Sequence, residues 1–374
     1  RIILCVMSIS KYMGQLLRTN YHLFAVLIVC CLAQASCDDK TTHVDEHGRP
    51  IDSTLQALNE RITQDPNSIA PYLERAKYFR DHKNFPLAYQ DLKRAASIDS
   101  TFADIYAIGG DTYFTEYRTL ASKGAKSDLD HYIHQAFLQY EKCLRFDSTH
   151  VEGLLQKSEI DILLRDYPTA MKQINRALRK NQYLPKAYFL KGQLYRETGD
   201  STLALSSYKT AIEVDPNYYD AFMALGLLYG QSKSDLGRQY FDAAISIKPN
   251  SIEAWYGKAM FLQESGYREP ARYAQAFACY DSILRIQSDF SAANFNKGFI
   301  HLEYLQHYDT AATFFTLAIE QFPEYYQAFY NRGLCYESLG NSASAEKDYR
   351  QALALRPTYD DAAIALNRVL GKRH

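Results

Sequence analysis

Small and bulky apolar positions return with a regular phase along most of this chain. A first small position recurs every 33 to 35 residues, with two longer spacings, between residues 66 and 357. Its members are Ala76, Gly110, Ser158, Gly192, Gly226, Ala259, Gly298 and Gly333. Because two helices approach closely only where the side chains between them are short, this position predicts a recurring helix contact.

A second small position follows twelve residues later in the regular copies, and a bulky residue stands four residues beyond it. The small residues are Ala88, Ala136, Ala170, Ala204, Gly237, Ala276, Ala311 and Ala345. The bulky residues are Leu92, Tyr140, Ile174, Tyr208, Phe241, Tyr280, Phe315 and Tyr349. Since residues i and i+4 share a helix face, each copy predicts a second helix. A Pro or capping residue then separates consecutive copies, as at Pro216 and Pro357.

This pattern resembles the tetratricopeptide repeat (TPR) family, which pairs an aromatic, a Leu-Gly-like step and a Tyr with Ala, Phe and a closing Pro. One close copy contains Tyr188, Gly192, Tyr195, Ala204, Tyr208, Ala211 and Pro216. The other contains Phe329, Gly333, Tyr336, Ala345, Tyr349, Ala352 and Pro357. Elsewhere the pattern diverges, since Asn294 and His301 replace aromatic residues. The resemblance covers about four fifths of the chain.

The resemblance implies an all-α, right-handed α-solenoid of about eight helix-turn-helix repeats over residues 52–370. We place the repeats at residues 69–102, 103–150, 151–184, 185–218, 219–251, 252–290, 291–325 and 326–359. Residues 52–63 and 360–370 are predicted to form N- and C-terminal capping helices. A solenoid grows by adding neighbours, so we expect one folded domain. Two insertions, 116–135 and 267–275, interrupt the array; the first is expected to form a mobile loop from Ser122, and the second to lengthen helices.

The first 36 residues have the layout of a signal peptide. An apolar run from Leu23 to Ala33 follows Lys11 and Arg18. It is shorter than the roughly 20 residues that span a bilayer as a helix. Because the chain begins with Arg1, we expect an overextended start, with translation beginning at Met7 or Met13.

Two cleavage sites compete at the end of the apolar run, and both predict export. Ala35, Ser36 and Cys37 resemble the end of a bacterial lipobox, which would make Cys37 the lipid attachment residue. Gln34 departs from that pattern, and a cut before Ser36 is the alternative. The first predicts a protein lipid-anchored in the bacterial cell envelope, at the periplasmic face or the cell surface, with residues 37–51 as a flexible tether. The second predicts a soluble periplasmic or secreted protein.

Charge and cysteine usage exclude some functions. The formal net charge of −1 gives no electrostatic basis for nucleic-acid binding, which requires a basic face. Cys143, Cys279 and Cys335 fall in the second, sixth and eighth repeats. Stacked helices lie about 8–10 Å apart, so these cysteines should be too distant for disulfides and should pack as reduced thiols.

The sequence shows no constellation typical of catalysis. It contains no HExxH, GxSxG, phosphate-binding Gly-rich loop or paired CxxC motif. Asp128, Asp130, His131 and His134 are the nearest candidates, since two His at i and i+3 can share a metal on a helix face. A solvated helix start with Asp caps is the alternative, and we favour it. We therefore expect no enzyme activity, no cofactor and no metal.

The resemblance implies that the first helix of each repeat lines a concave surface that binds peptides. The family's inward-facing phases fall on Phe189, Gln193, Arg196, Met223, Leu227, Tyr256, Met260, Phe295, Phe299, Tyr330 and Leu334. Such an apolar and aromatic stripe can anchor a partner's side chains. The alternative for each residue is packing against the adjacent repeat. In the N-terminal half the same phases give a mixed charged strip, which we expect to be solvated: Lys77, Arg80, Asp111, Glu152 and Glu159.

Three functional hypotheses follow. The first is a non-enzymatic envelope scaffold that binds a protein or peptide partner in the concave groove. The second is a glycan- or cell-wall-binding module whose aromatic rings stack on sugars, at Phe189, Tyr256, Phe295 and Tyr330. It requires exposed, coplanar rings, whereas a peptide groove requires recessed ones. The third, an enzyme built on His131 and His134, requires a bound metal.

Overall fold

The computed structural model describes residues 52–124, 129–232 and 234–371. Across these ranges the chain forms eighteen α-helices and one short π-helix, with no β-strand. The predicted fold class, an all-α solenoid of helix pairs, is confirmed. The predictions for residues 1–36, for residues 37–51 including Cys37, and for Asp128 lie outside the described ranges.

The chain divides into two compact units, Arg1–Ala204 and Leu205–His374. The boundary falls within one helix, α9 (Ser201–Val214). The single folded domain stays a prediction.

Unit 1 contains eight helices before α9. They are α1 (Ser53–Gln64), α2 (Ile69–Asp81), α3 (Phe85–Ile98), α4 (Ala103–Ser122), α5 (Leu129–Phe146), α6 (Val151–Leu163), α7 (Tyr167–Lys180) and α8 (Pro185–Glu197). Each helix packs against the next, and the first helices α2, α4, α6 and α8 also contact their neighbours directly. The Asp52 carboxylate caps α1 by accepting hydrogen bonds from the backbone N–H groups of Thr54 (3.0 Å) and Leu55 (3.1 Å).

Unit 2 contains nine further α-helices. They are α10 (Tyr219–Gln231), α11 (Leu236–Ile247), α12 (Ile252–Ser265), α13 (Ala271–Ile286), α14 (Ser291–Ile300), α15 (Tyr308–Gln321), α16 (Tyr326–Ser338), α17 (Ser342–Leu355) and α18 (Asp360–Gly371). Consecutive helices pack against each other, and the first helices α10 and α12 also touch directly. No helix in the described parts of the chain combines the length and apolar character needed to cross a membrane.

The small positions bring the two helices of each pair into contact, as predicted. A Cβ atom built on Gly110 would lie 2.5 Å from the ring of Tyr140, and one on Gly333 would lie 2.6 Å from the ring of Tyr349. Both tyrosine side chains are fully buried. A bulky residue of the second helix therefore occupies the space that a missing side chain leaves on the first.

The two insertions lie largely in helices. In the first insertion α4 continues through Ser122 and α5 begins at Leu129, so the connection is shorter than expected. Residues 125–128 of this connection are not among those described. In the second insertion, residues 271–275 form the start of α13, which runs for 16 residues from Ala271.

Unit 2 also contains a π-helical turn that the repeat pattern did not predict. It covers His301–Leu305 directly after α14, and Gln306 then adopts a left-handed φ of 55°. The backbone N–H of His307 donates to the carbonyl oxygen of His301 at 2.9 Å, which closes the turn. The divergence of the repeat at His301 therefore coincides with a local change of helix type.

Candidate partner-binding site

The predicted aromatic stripe of unit 2 is partly built into the core. Met223 is only 5% exposed. Tyr256, Phe295 and Tyr330 are half-buried and pack against the apolar clusters between the helices. Packing against the adjacent repeat, the alternative left open by the sequence, therefore describes much of what these four side chains do. Their role as partner contacts stays a prediction.

Tyr256 is a predicted partner contact that also packs against neighbouring helices. Its ring meets Tyr280 and Phe290 edge-on, with centroids 6.2 and 6.0 Å apart. Its hydroxyl accepts a hydrogen bond from Asn296 Nδ2 at 3.0 Å, which links α12 to α14. Burial raises the pKa of Tyr256, although the Asn296 contact opposes this shift. Replacing Tyr256 would therefore disturb the fold as well as any binding surface.

Phe295 and Tyr330 are also surrounded by rings. Phe295 stacks on Tyr325 with centroids 4.8 Å apart and meets Phe315 edge-on at 5.5 Å. Tyr330 lies 5.2 Å from Tyr359 in an edge-on contact. The faces of these two rings thus contribute to packing between consecutive helices.

A second set of apolar residues lies at the position directly after the small residue in the four first helices of unit 2. We call it the inner row; its members are Leu227, Met260, Phe299 and Leu334. Leu227 is 45% exposed, and the other three are half-buried. Met260 accepts a weak hydrogen bond at its sulfur from the Tyr280 hydroxyl, at 3.5 Å. Phe299 and Leu334 also pack against the apolar clusters between the helices, so Leu227 is the most exposed member of the inner row.

In unit 1 the residues directly after the small positions are polar, namely Lys77, Asp111, Glu159 and Gln193. Phe189 is half-buried, and Arg196 forms an ion pair with its neighbour Glu197 at 2.9 Å. Asp111 accepts a hydrogen bond from the Tyr140 hydroxyl at 2.6 Å and pairs with Arg80 at 3.4 Å. Burial raises the pKa of Asp111, and the Tyr140 and Arg80 contacts oppose this shift.

Ion pairs join part of the charged strip of unit 1, and its members Lys77 and Glu152 are exposed to solvent. Lys186 lies 3.4 Å from a carboxylate oxygen of Glu152 and 3.8 Å from one of Glu159. Glu159 also pairs with Arg118 of the preceding repeat. These partly exposed pairs each contribute little stability, but together they join α4, α6 and α8.

The sequence analysis missed a recurring set of ion pairs between first and second helices of unit 2. The cation stands directly before the small residue of the first helix, and its acid lies on a second helix. The pairs are Lys258 with Asp242 (2.6 Å), Lys297 with Asp281 (2.6 Å) and Arg332 with Asp348 (2.8 Å). Six of the eight copies carry Lys or Arg at this position, which is the signal that could have revealed the set.

Acidic side chains lie at both ends of the first helices of unit 2. Near the start of α12, Glu253 accepts a hydrogen bond from the Tyr219 hydroxyl at 3.3 Å. Burial, together with the neighbouring Asp220, raises the pKa of Glu253 to about 7. At the other end, desolvation of its carboxylate raises the pKa of Glu303 in the π-helical turn.

The second insertion borders a charged surface cleft of about 560 Å³. Tyr267, Arg268 and Glu269 line it together with Arg272. Arg272 is held between Asp235, at 2.9 Å, and Glu269, at 2.7 Å. Paired charges therefore line one part of the cleft, and the aromatic side chains of Phe261 and Tyr267 line another.

His131 and His134 are both exposed on α5. Throughout the described ranges, no group of three or more His, Cys, Asp and Glu side chains is placed to hold a metal ion. The structure therefore brings no third ligand to this predicted candidate pair among those residues.

The three cysteines beyond residue 52 are buried and carry no disulfide. Burial raises the pKa of the Cys143 thiol to about 12, that of Cys279 to about 11 and that of Cys335 to about 12. Since the thiolate is the reactive form, a raised pKa keeps these thiols protonated and unreactive near neutral pH. Their side chains therefore contribute to packing.

Comparison with known families explains the architecture. A profile described as "Tetratricopeptide repeat" matches residues 326–359, and one described as "TPR repeat" matches residues 192–233. Two segments of the chain are therefore similar to tetratricopeptide repeats. Both segments include copies on which the resemblance was based, around Gly192 and Gly333.

Curated relatives and solved structures agree with this result. Anaphase-promoting complex subunit 3 of Schizosaccharomyces pombe is 27% identical over 36% of this chain and 20% of its own length. A DnaJ homolog subfamily C member 7 homolog of Dictyostelium discoideum is 26% identical over 73% of this chain and 55% of its own. The chain thus spans between a fifth and about half of the length of these two relatives.

Two solved structures share the fold. The C-terminal part of a TPR repeat-containing protein from Cytophaga hutchinsonii matches with a TM-score of 0.53 and 16% identity, covering 68% of this chain and 99% of that one. The APC/C hetero-tetramer Cut9-Hcn1 matches with a TM-score of 0.50 and 14% identity, covering 85% and 59%. At these identities the likeness establishes the fold alone.

Proposed function

We propose that this protein is a non-enzymatic scaffold that binds a protein partner on the inner row of unit 2. TPR-type proteins generally act as protein-interaction scaffolds, and one relative, anaphase-promoting complex subunit 3, is named as a member of a protein complex. The observation that carries the proposal is the inner row itself. Four apolar side chains stand at one phase of successive first helices, and Leu227 leaves 45% of its surface exposed. Apolar surface of this kind is stabilised when a partner covers it.

The packing of the aromatic residues favours a protein partner over a glycan. A sugar-binding platform requires ring faces that are open and coplanar. Tyr256, Phe295 and Tyr330 instead each meet other rings at inclined or stacked angles. A partner would therefore contact the edges of these rings and the aliphatic side chains between them.

The proposal includes an anchor in the cell envelope. Its support is the sequence alone, where Ala35-Ser36-Cys37 follows an apolar run preceded by Lys11 and Arg18. Lipid on Cys37 would hold the scaffold at a membrane through a polar tether of about a dozen residues. In that arrangement the repeats recruit their partner to the membrane surface.

The test is affinity capture of envelope proteins with the wild-type chain and two matched variants. Leu227→Gln removes apolar surface from the inner row, and Leu317→Gln removes a comparably exposed leucine (39%) from the second helix α15. Losing one buried leucine contact weakens binding by about tenfold or more. We expect Leu227→Gln to lose a specific partner that Leu317→Gln retains. Equal recovery with both variants would refute the inner row as the site.

A further inference from the structure

The charged residues on the first helices of unit 2 are sorted by sign. Lys258, Lys297 and Arg332 all point their charges at acids of second helices, at 2.6 to 2.8 Å. Each cation is thus held within the repeat array by a nearby carboxylate. The first helices α12, α14 and α16 therefore present these positive charges to their own scaffold and not to a partner.

The inner-row face of the same helices is acidic. Counted from the first residue of each first helix, positions 2, 5, 9, 12 and 13 lie within one face about 100° wide. We count these positions in α10, α12, α14 and α16, and continue the count of α14 into the π-helical turn that follows it. They hold five acidic residues and no Lys or Arg. The acids are Asp220, Glu253, Glu264, Glu303 and Glu337.

Only part of this negative charge is neutralised internally. Glu337 forms an ion pair with Arg368 at 2.7 Å. Glu253 accepts a hydrogen bond from Tyr219, but neither Glu253 nor Glu303 has an ion-pair partner among the described residues. Lys248 lies close enough to Glu253 to stabilise its charge but forms no ion pair with it, so an incoming cation would find two carboxylates outside any ion pair with a Lys or Arg of the described residues.

The inner row runs between these acids. The inner-row residue is position 9 of each first helix. It lies between position 2, which is Glu253 in α12, and position 13, which is Glu303 in the turn after α14. α10 packs directly on α12, and a hydrogen bond from Asn296 to Tyr256 joins α14 to α12, so these three first helices are neighbours. Packed helices lie about 8–10 Å apart, so the strip over three of them is about 20 Å long, which an extended segment of about six residues covers. The surface is thus an apolar strip with negative borders, long enough for a short peptide segment.

We propose that this face of unit 2 selects a basic, amphipathic segment of a protein partner. Its apolar side chains lie on the inner row, and its Lys or Arg side chains lie opposite Glu253 and Glu303. This inference rests on the proposed function and adds the chemistry of the partner. Charge complementarity of this kind sets specificity and association rate more than affinity alone.

The experiment selects binders from a random 12-residue peptide library on the full chain at pH 8, where Glu253 is ionised. Peptides that also bind Leu227→Gln are removed, so that the remaining peptides depend on the inner row. We expect the remaining peptides to combine apolar residues with a net positive charge. Their affinity should fall severalfold when salt is raised from low to high concentration, because exposed charges are screened.

Charge-neutral variants identify the residues responsible. The double variant Glu253→Gln/Glu303→Gln keeps side-chain shape and should weaken the selected peptides at least about fivefold. The matched control Glu320→Gln/Glu324→Gln removes two exposed acids outside the inner face and should leave affinity unchanged. Thermal unfolding of each variant checks that it remains folded.

The outcomes separate this inference from the proposed function. Peptides that depend on Leu227 but are neutral or acidic, or that bind the double variant as tightly as the wild type, would overturn the choice of a basic partner and leave the binding face intact. A selection that yields no peptide dependent on Leu227 would count against both.

Discussion

At the residue scale, the glycines of the first small position fix how closely the two helices of a repeat approach. A Cβ on Gly333 would lie 2.6 Å from the Tyr349 ring, a distance that requires the ring or the helix to move. We predict that Gly333→Ala lowers the free energy of unfolding by about 1–3 kcal/mol, because overpacking forces such shifts. Chemical denaturation of wild type and variant measures the difference.

Gly230 provides the control for this prediction. It also lies in a first helix, but a Cβ there would meet its nearest neighbour, Phe261, at an ordinary 3.7 Å. Gly230→Ala should leave stability unchanged or raise it by up to about 1 kcal/mol through helix propensity. If both variants behave alike, the close approach at Gly333 does not determine stability.

His301 places a polar imidazole ring among aromatic side chains. Its ring stacks on Phe277 and Phe314 with centroids 4.9 and 5.5 Å away, and Lys297 and His307 lie nearby. Its Nδ1 atom is buried with no hydrogen-bond partner in the described structure. Burial, assisted by His307 and Lys297, lowers the pKa of His301.

A lowered histidine pKa makes the fold sensitive to acid. The unfolded chain takes up the proton near pH 6.5 and the folded chain only at lower pH, so stability falls as pH decreases below about 6.5. We predict that His301→Phe raises the melting temperature and raises it more at pH 5 than at pH 8. The exposed His131→Gln is the control and should change neither value. Equal shifts of His301→Phe at both pH values would contradict the buried-imidazole interpretation.

At the element scale, ion pairs join first helices to second helices, within one repeat at Arg332 and between consecutive repeats at Lys258 and Lys297. Arg332 donates from Nε and Nη2 to the two carboxylate oxygens of Asp348, both at 2.8 Å, and from Nη1 to Thr316 at 3.0 Å. Asp348 is almost fully buried. One guanidinium therefore joins α16 to both α15 and α17.

Breaking this pair should destabilise the C-terminal repeat. We predict that Asp348→Ala costs about 2–3 kcal/mol, because it leaves a partly buried guanidinium without its carboxylate. The double variant Arg332→Leu/Asp348→Leu should lose less than the sum of its single changes in a double-mutant cycle. The more exposed pair Arg350 with Glu346, at 2.9 Å, is the control and should couple by less than about 0.5 kcal/mol. Additive changes at Arg332 and Asp348 would contradict this role.

The sequence predicts the helices well because their contacts depend on short-range spacing. A helix begins at residues 69, 103, 151, 185, 219, 252, 291 and 326, where the small and bulky phases place each repeat. The π-helical turn at His301–Leu305 and the continuation of α4 through Ser122 could not be read from that spacing. They depend on how side chains pack once the neighbouring helices are in place.

The candidate site was predictable only in part, for the same reason. Phase alone identified Leu227 and Met223 equally, yet one is exposed and the other is buried by the adjacent helix. The sorting of cations and acids on the first helices depends on partners such as Arg332 and Asp348, which lie 16 residues apart on different helices. Spacing within one helix does not reveal such pairs.

At the scale of the whole molecule, thiol reactivity tests both the buried core and the anchor. Cys143, Cys279 and Cys335 are buried with raised pKa values, so a thiol reagent should label none of them in the native mature protein and all three after denaturation. A lipid-modified Cys37 adds no free thiol. One rapidly labelled thiol in the native protein would instead show that Cys37 is unmodified and contradict the proposed anchor.

We propose that a partner occupies the inner row of unit 2. The most direct measurement replaces Leu227 with a photo-crosslinking amino acid in the producing cells, with Leu317 as the matched position, and identifies crosslinked peptides by mass spectrometry. We expect one dominant protein to crosslink at position 227 through a basic, amphipathic segment, and the same protein not to crosslink at position 317. Equal crosslinking at both positions, or no specific product at position 227, would contradict it.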